Sequence, residues 1–184
     1  MSLAIIFTVL GSSLAILEAD SSSKAKNQSF YPATKTQDFS PTAYPAGPVP
    51  GPALIVYDPG PSGTAETIAE QMVSILQTKG YFIILTGIDS QTAKLNASQC
   101  QLIIVGGPIV NGEASTRVQT FLKSVDQGNR TLMGVYGVTD QSGSNDQVAP
   151  SSVSGHLNLK ESQEINAHQD LTVQSDEFVT KLLS

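Results

Sequence analysis

Residues 53–70 read ALIVYDPGPSGTAETIAE, and three kinds of local order meet within them. Ala53-Leu54-Ile55-Val56-Tyr57 is an unbroken apolar run, the pattern of a strand buried on both faces of a parallel sheet. Asp58-Pro59-Gly60-Pro61-Ser62-Gly63 concentrates residues that fix φ or free it, which makes a turn. Beyond it Ile68, Met72, Ile75 and Leu76 recur at helical spacing, and Gly80 stands past their end as a stop. Strand, turn and helix in immediate succession open a βαβ unit.

The alternation continues downstream. Residues 81–85 (YFIIL) and 102–105 (LIIV) predict a second and a third strand, the third followed by Gly106-Gly107-Pro108. Residues 113–125 predict a helix with Val118, Phe121, Leu122 and Val125 inward, and 132–138 a fourth strand. After a polar stretch at 141–154, residues 156–165 predict a fifth strand. Ser175 is the expected cap of a last helix carrying Phe178, Val179, Leu182 and Leu183. Strands alternating with helices, without hairpin signals, predict an α/β fold: a doubly wound parallel sheet with right-handed crossovers over 53–184.

Two segments precede this domain. Residues 3–17, LAIIFTVLGSSLAIL, carry no charge, whereas a spanning helix needs about 20 apolar residues. The run predicts a secretory signal or a short membrane anchor over 1–18, with no A-x-A cleavage site after it. Residues 19–52 are rich in Ser, Thr and Pro. Pro32, Pro41, Pro45, Pro48, Pro50 and Pro52 predict an extended spacer. Asn27, Asn96 and Asn129 each begin an N-x-S/T triplet and are candidate glycosylation sites. Together these features predict a membrane-anchored or secreted protein with an extracytoplasmic domain, meeting the membrane through its N-terminal segment and a protein partner through its surface.

Composition narrows the function classes. Ten Lys and Arg stand against sixteen Asp and Glu in 184 residues, a net charge of −6, with no basic cluster to neutralise a run of phosphates. Nucleic acid is therefore excluded as a partner. A single cysteine, Cys100, excludes an internal disulfide, a cysteine zinc site and a CxxC redox pair. His156 and His168 lack metal-ligand spacing, and no Ser-His-Asp or nucleophile-elbow pattern is present, so no catalytic constellation is visible. Asp58, Glu66, Asp89 and Asp140, near strand ends, read as solvated turn acids.

What remains is the carboxyl edge of the sheet, where such folds bind ligands at the point of reversed strand order. Turns 58–64, 106–112 and 138–146 occupy it. The first opens directly into a helix, whose backbone N–H groups and dipole suit a phosphate. It lacks the G-K-[ST] of a Walker loop, and Gly60 and Gly63 do not make G-x-G-x-x-G.

On these pieces the chain resembles the flavodoxin-like family. The matching stretches are Ile55-Val56-Tyr57, Ser62-Gly63-Thr64-Ala65-Glu66-Thr67-Ile68-Ala69-Glu70, Lys79-Gly80-Tyr81, Ile103-Ile104-Val105-Gly106-Gly107-Pro108-Ile109-Val110-Asn111-Gly112, Phe121-Leu122 and Gly134-Val135-Tyr136-Gly137. The chain looks most like the archaeal variety carried on an N-terminal hydrophobic segment. The resemblance implies a five-stranded sheet of order 2-1-3-4-5, with FMN as cofactor for electron transfer. Carried over, Ser62, Gly63, Thr64 and Thr67 face the FMN phosphate. Gly107, Pro108, Ile109, Val110 and Asn111 flank the flavin ring on one side, and Thr139, Asp140 and Gln141 on the other. The chain departs from the family at Pro59-Gly60-Pro61, at Ala65 where a threonine is expected and at Thr64 where asparagine is common. No Phe, Tyr or Trp falls in 106–112 or 138–146, although ring stacking contributes about 0.5–1.5 kcal/mol beyond burial. Two readings stand: an FMN-bearing electron carrier, and a flavin-less structural or interaction domain on the same fold.

Overall fold

The computed structural model describes residues 35–43, 46, 50–125, 130–140 and 157–184, with the backbone alone at 95 and 96. In chain order the elements are β1 (Thr36–Phe39), β2 (Ala53–Tyr57), α1 (Thr64–Thr78), β3 (Ile83–Gly87), α2 (Gln91–Asn96), a single 3-10 turn at Ala97–Gln99, β4 (Leu102–Val110), β5 (Glu113–Ala114), α3 (Thr116–Ser124), β6 (Leu132–Thr139), β7 (Leu159–Asn166) and α4 (Leu171–Leu183).

All five residues of β2 are buried because the strand lies in the middle of the sheet with helices on both faces. The order is β1-β3-β2-β4-β6-β7, with β5 pairing only with β4. Strands β3, β2, β4, β6 and β7 are mutually parallel, whereas β1 is antiparallel to β3. Among the described residues the sheet is thus a doubly wound α/β one of seven strands, in which β1 and β5 add to the five parallel ones. Strand order reverses between β2 and β4.

Helices α1 and α4 cover one face. Ile68, Met72, Leu76, Phe178 and Leu182 pack there against Ile55, Ile104 and Tyr136. On the other face Val118, Phe121 and Leu122 of α3 pack against Leu54, Val56, Ile103 and Val105. Each fully buried Leu, Ile or Phe contributes roughly 1.5–3 kcal/mol. Tyr136 and Phe178 meet edge to face at 6.2 Å between centroids.

Several local expectations shift, each for a visible reason. Part of the expected spacer is a strand: Thr36–Phe39 lies between Pro32 and Pro41 with every ladder donor intact, and it pairs with β3 in the register Thr36↔Thr86 to Phe39↔Ile83. β4 does not stop at Val105 but runs through Gly106, Gly107 and Pro108 to Val110. α3 begins at Thr116 because Ser115 caps it, its Oγ accepting from Val118 N at 3.3 Å. The cap of α4 is Asp170, which accepts from Thr172 N and Val173 N. Ser175 is instead buried one turn in, where its Oγ donates to Gln71 Oε1 at 3.2 Å.

The membrane tether is corrected. Among the described residues no helix is long and apolar enough to cross a membrane, and residues 1–18 lie outside the described ones. Length works against the run at 3–17 in any case, since fifteen residues reach only about 22 Å as a helix against a hydrocarbon core of about 30 Å. The membrane tether expected from the sequence thus has no spanning helix to rest on among the described residues. Of the candidate glycosylation sites, Asn27 and Asn129 lie outside the described residues, and Asn96 is the last residue of α2 instead of a loop position.

Cys100 is buried beneath β4, and burial pushes its thiol from the ordinary 9.0 up to about 11. A native group raised above its unfolded value adds stability that is complete below the unfolded value and fades above it. The expected outcome is slow maleimide labelling of the native protein near neutral pH, prompt labelling in guanidinium, and stability falling between about pH 9 and 11. Native labelling as fast as that of the unfolded chain contradicts the burial.

Candidate functional site at the carboxyl edge of the sheet

The turn between β2 and α1 starts on a buried charge. Asp58 is 3% exposed, and its backbone N–H donates to Gly106 O at 2.8 Å, pinning the end of β2 to β4. Ser115 Oγ donates to Asp58 Oδ2 at 2.7 Å, and Arg117 Nη1 donates to Oδ1 at 2.6 Å. The other guanidinium nitrogen, Nη2, donates to Asp89, just beyond β3. One arginine on α3 thus ties together the chain leaving β2 and the chain leaving β3. Gly107 permits this, since a Cβ there would sit 2.7 Å from Val118 Cγ2 and 2.9 Å from Asp58 Cβ. Behind Arg117 a groove of about 320 Å³ opens between α2 and α3, lined by Asp89, Lys94, Arg117 and Phe121 among others.

The far end of the turn is open. Gly63 takes the left-handed conformation at φ 72° and forms the N-cap of α1 without any side-chain cap. Its carbonyl accepts from Glu66 N and Thr67 N at 3.1 and 3.2 Å. A Cβ on Gly63 would meet nothing within 4 Å, so backbone and solvent face each other directly. Ser62 and Thr67 are exposed and Thr64 is half-exposed. Thr64 Oγ1 donates to Ser62 Oγ at 2.9 Å, which sets both hydroxyls on the rim. Of the first three N–H groups of α1, that of Thr64 donates to Ser62 Oγ at 3.3 Å and that of Glu66 to Gly63 O, which leaves Ala65 N–H, and the helix dipole favours an anion in front of it.

Behind this rim Tyr57 OH donates to Glu66 Oε1 at 3.0 Å, and Lys35 Nζ stands 3.7 Å from the same oxygen. Burial, then the bond to Glu66, hold the Tyr57 phenol well above its ordinary value. From β6, Tyr136 OH donates to Ala65 O at 2.7 Å and so braces the first turn of α1 from inside the core.

The structure places the remaining sequence-predicted residues unevenly. Gly107 and Pro108 lie against the turn; a Cβ on Gly60 would be 3.0 Å from Pro108 Cγ. Ile109 is half-buried and packs on the α2–α3 core. Val110 is 47% exposed, and Asn111 (φ 56°) and Gly112 (φ 80°) form the tip of a tight hairpin into β5. Thr139 is buried, whereas Asp140 is exposed and its carbonyl meets His168 Nε2 at 3.0 Å. Gln141 lies outside the described residues. Asp58 is not the solvated turn acid expected but a buried one, and Asp89, although exposed as expected, is bound with it by Arg117, which has no sequence motif to mark it. The one signal was a charge set directly against a wholly apolar strand.

Tested against FMN, the donor set on the rim fits a phosphate monoester: Ala65 N–H at the start of α1, the Ser62 and Thr64 hydroxyls and a glycine that admits close approach, with Thr64 N–H already donating to Ser62 Oγ at 3.3 Å. Among the described residues the ring side offers no aromatic contact, and its exposed apolar residue is Val110. Among the described residues no group of three or more His, Cys, Asp or Glu could hold a metal ion.

No protein-family model matches the chain, and no curated protein matches it. Solved structures do. A flavodoxin from Streptococcus pneumoniae matches with a TM-score of 0.55 at 16% identity, over 72% of this chain and 97% of that one. Oxidised flavodoxin 1 from Bacillus cereus matches at 0.54 and 16%, with the same coverage. The flavodiiron core of Flv1 from Synechocystis matches at 0.51 and 20% over 73% of this chain, which spans only 35% of that one. At such identities the likeness carries the fold and does not single out the archaeal variety. The structure matches the flavodoxin-like fold broadly.

Proposed function

We propose that the domain binds the phosphate of FMN at residues 62–64 and serves as an electron carrier. The observation that carries this reading is the open N-terminus of α1, uncapped behind Gly63 and rimmed by Ser62 and Thr64, at the point where strand order reverses. Ala65 N–H and the Ser62 and Thr64 hydroxyls would donate to the phosphate, and Thr67 would add a further hydroxyl one turn on. The Asp58–Ser115–Arg117 cluster keeps the turn in register with β4. The β4–β5 hairpin with Val110, and Asp140 after β6, form the two sides between which a ring system would lie. When bound, FMN supplies the redox chemistry, and the chain supplies orientation and electrostatics. That two of the structural neighbours are flavodoxins accords with this reading.

A second reading, a flavin-less interaction domain, is favoured by one feature: 106–112 contains no aromatic residue to stack on the ring. Titrating the full chain into FMN and into riboflavin, followed by flavin fluorescence, separates the two. The proposal predicts saturable quenching by FMN at about 1 µM or below, with riboflavin at least about tenfold weaker. Unquenched FMN at tens of micromolar leaves the flavin-less reading.

A further inference from the structure

β1 joins the sheet in a direction that matters for the site. Because it is antiparallel to β3, with Thr36 opposite Thr86 and Phe39 opposite Ile83, its first residues lie at the carboxyl end of β3. That is the edge on which α1 begins. Lys35, immediately before β1, is held there by its own backbone: its carbonyl accepts from Gly87 N at 2.9 Å. Thr36 Oγ1 anchors the same end through Thr86 Oγ1 at 2.7 Å and Ser90 Oγ at 3.1 Å. The other end is fastened to the end of α1, where Gln77 Nε2 donates to Ser40 O at 2.7 Å and Gln77 O accepts from Thr42 N at 3.1 Å. The strand is a strap secured at both ends, and it delivers a lysine to the first turn of α1.

Charge around the turn shows what that lysine does. Arg117 is committed to Asp58 and Asp89. Lys35 pairs with Glu66 across 3.7 Å, with the two side chains 54% and 34% exposed. Such a loose, solvated pair contributes little and is readily exchanged for a stronger partner. A phosphate dianion at the α1 N-terminus would sit beside Glu66, one turn or less along the helix, and would need a cation there. We infer that Lys35, carried in by β1, is the binding residue that selects a dianionic phosphate monoester at this site, moving from Glu66 towards the phosphate while Tyr57 OH keeps the Glu66 carboxylate bonded. This rests on the phosphate site proposed above and extends it to a segment outside the parallel sheet.

The test compares the full chain with Lys35→Gln and Lys35→Arg, titrated with FMN and with riboflavin at low and high salt. The expected result is FMN affinity about tenfold weaker in Lys35→Gln, from loss of a charge-assisted contact, with a flatter salt dependence. Riboflavin affinity stays unchanged, and Lys35→Arg stays close to the parent. Unaltered FMN binding in Lys35→Gln overturns the inference while leaving the phosphate site standing. Equal losses for FMN and riboflavin also overturn it, because Lys35 then serves only to hold the strap. A parent chain that binds neither flavin removes the phosphate site and this inference together.

Discussion

Replacing Arg117 with Met is expected to lower stability by about 3–5 kcal/mol, the usual cost of removing one partner from a buried ion pair. The value belongs at this end of the scale because Asp58 has almost no access to water: its side chain is 4% exposed, against 25% for Arg117. Ser115 Oγ supplies one bond to the stranded carboxylate and does not neutralise it. A second substitution separates the charge from the packing. In Asp58→Asn/Arg117→Met the buried position carries no charge, and more than half of the lost stability should return. Urea unfolding of the parent, both single variants and the double variant gives the coupling directly. A single Arg117→Met variant within about 0.5 kcal/mol of the parent would mean that Asp58 is hydrated and that the cluster does not hold the turn.

Gly106→Ala should cost about 3 kcal/mol, the upper end for overpacking. A Cβ at this position would lie 1.9 Å from Tyr136 Cζ and 2.0 Å from Cε1, so the ring must move. It has nowhere to go. Tyr136 is fully buried, stacks edge-on against Phe178 and donates its hydroxyl to Ala65 O. Any displacement therefore pulls on the first turn of α1, where the proposed phosphate site lies. The variant should lose thermal stability and bind FMN less tightly, and shrinking the ring site in Gly106→Ala/Tyr136→Leu should restore part of the stability. An unchanged melting temperature for Gly106→Ala would refute the close approach of β4 and β6 in this register.

How much of this was legible in the sequence follows from the range of the forces. Ala53–Tyr57, the turn after it and the Ile68-Met72-Ile75-Leu76 spacing report local order, and each forms where its residues predict. The doubly wound sheet then follows from connection rules. β1 is not legible because a four-residue edge strand flanked by prolines has no periodicity long enough to read; only the exposed edge of β3 makes it a strand. α4 is legible from its apolar spacing, but its cap is Asp170, and Ser175, which looks like one, lies buried against α1. At the site the same division holds. Ser62, Gly63 and Thr64 are contiguous, and their turn could be picked out as a phosphate candidate. The Asp58–Ser115–Arg117 cluster joins positions 57 and 59 residues apart, and Lys35 meets Glu66 only because β1 runs antiparallel to β3. Neither has a sequence signature. The hydrophobic run at 3–17 is also a local pattern, but it lies outside the described residues.

The central claim is that an FMN phosphate sits at the uncapped start of α1. Amide chemical shifts of the labelled full chain, followed through an FMN titration, test it residue by residue. The account predicts the largest perturbations at Gly63, Thr64 and Ala65, saturating with the flavin quenching, with smaller ones at Lys35 and in the β4–β5 hairpin. Saturable FMN binding that leaves those three amides unmoved, or that instead perturbs Lys94 and Phe121 in the groove between α2 and α3, would contradict it.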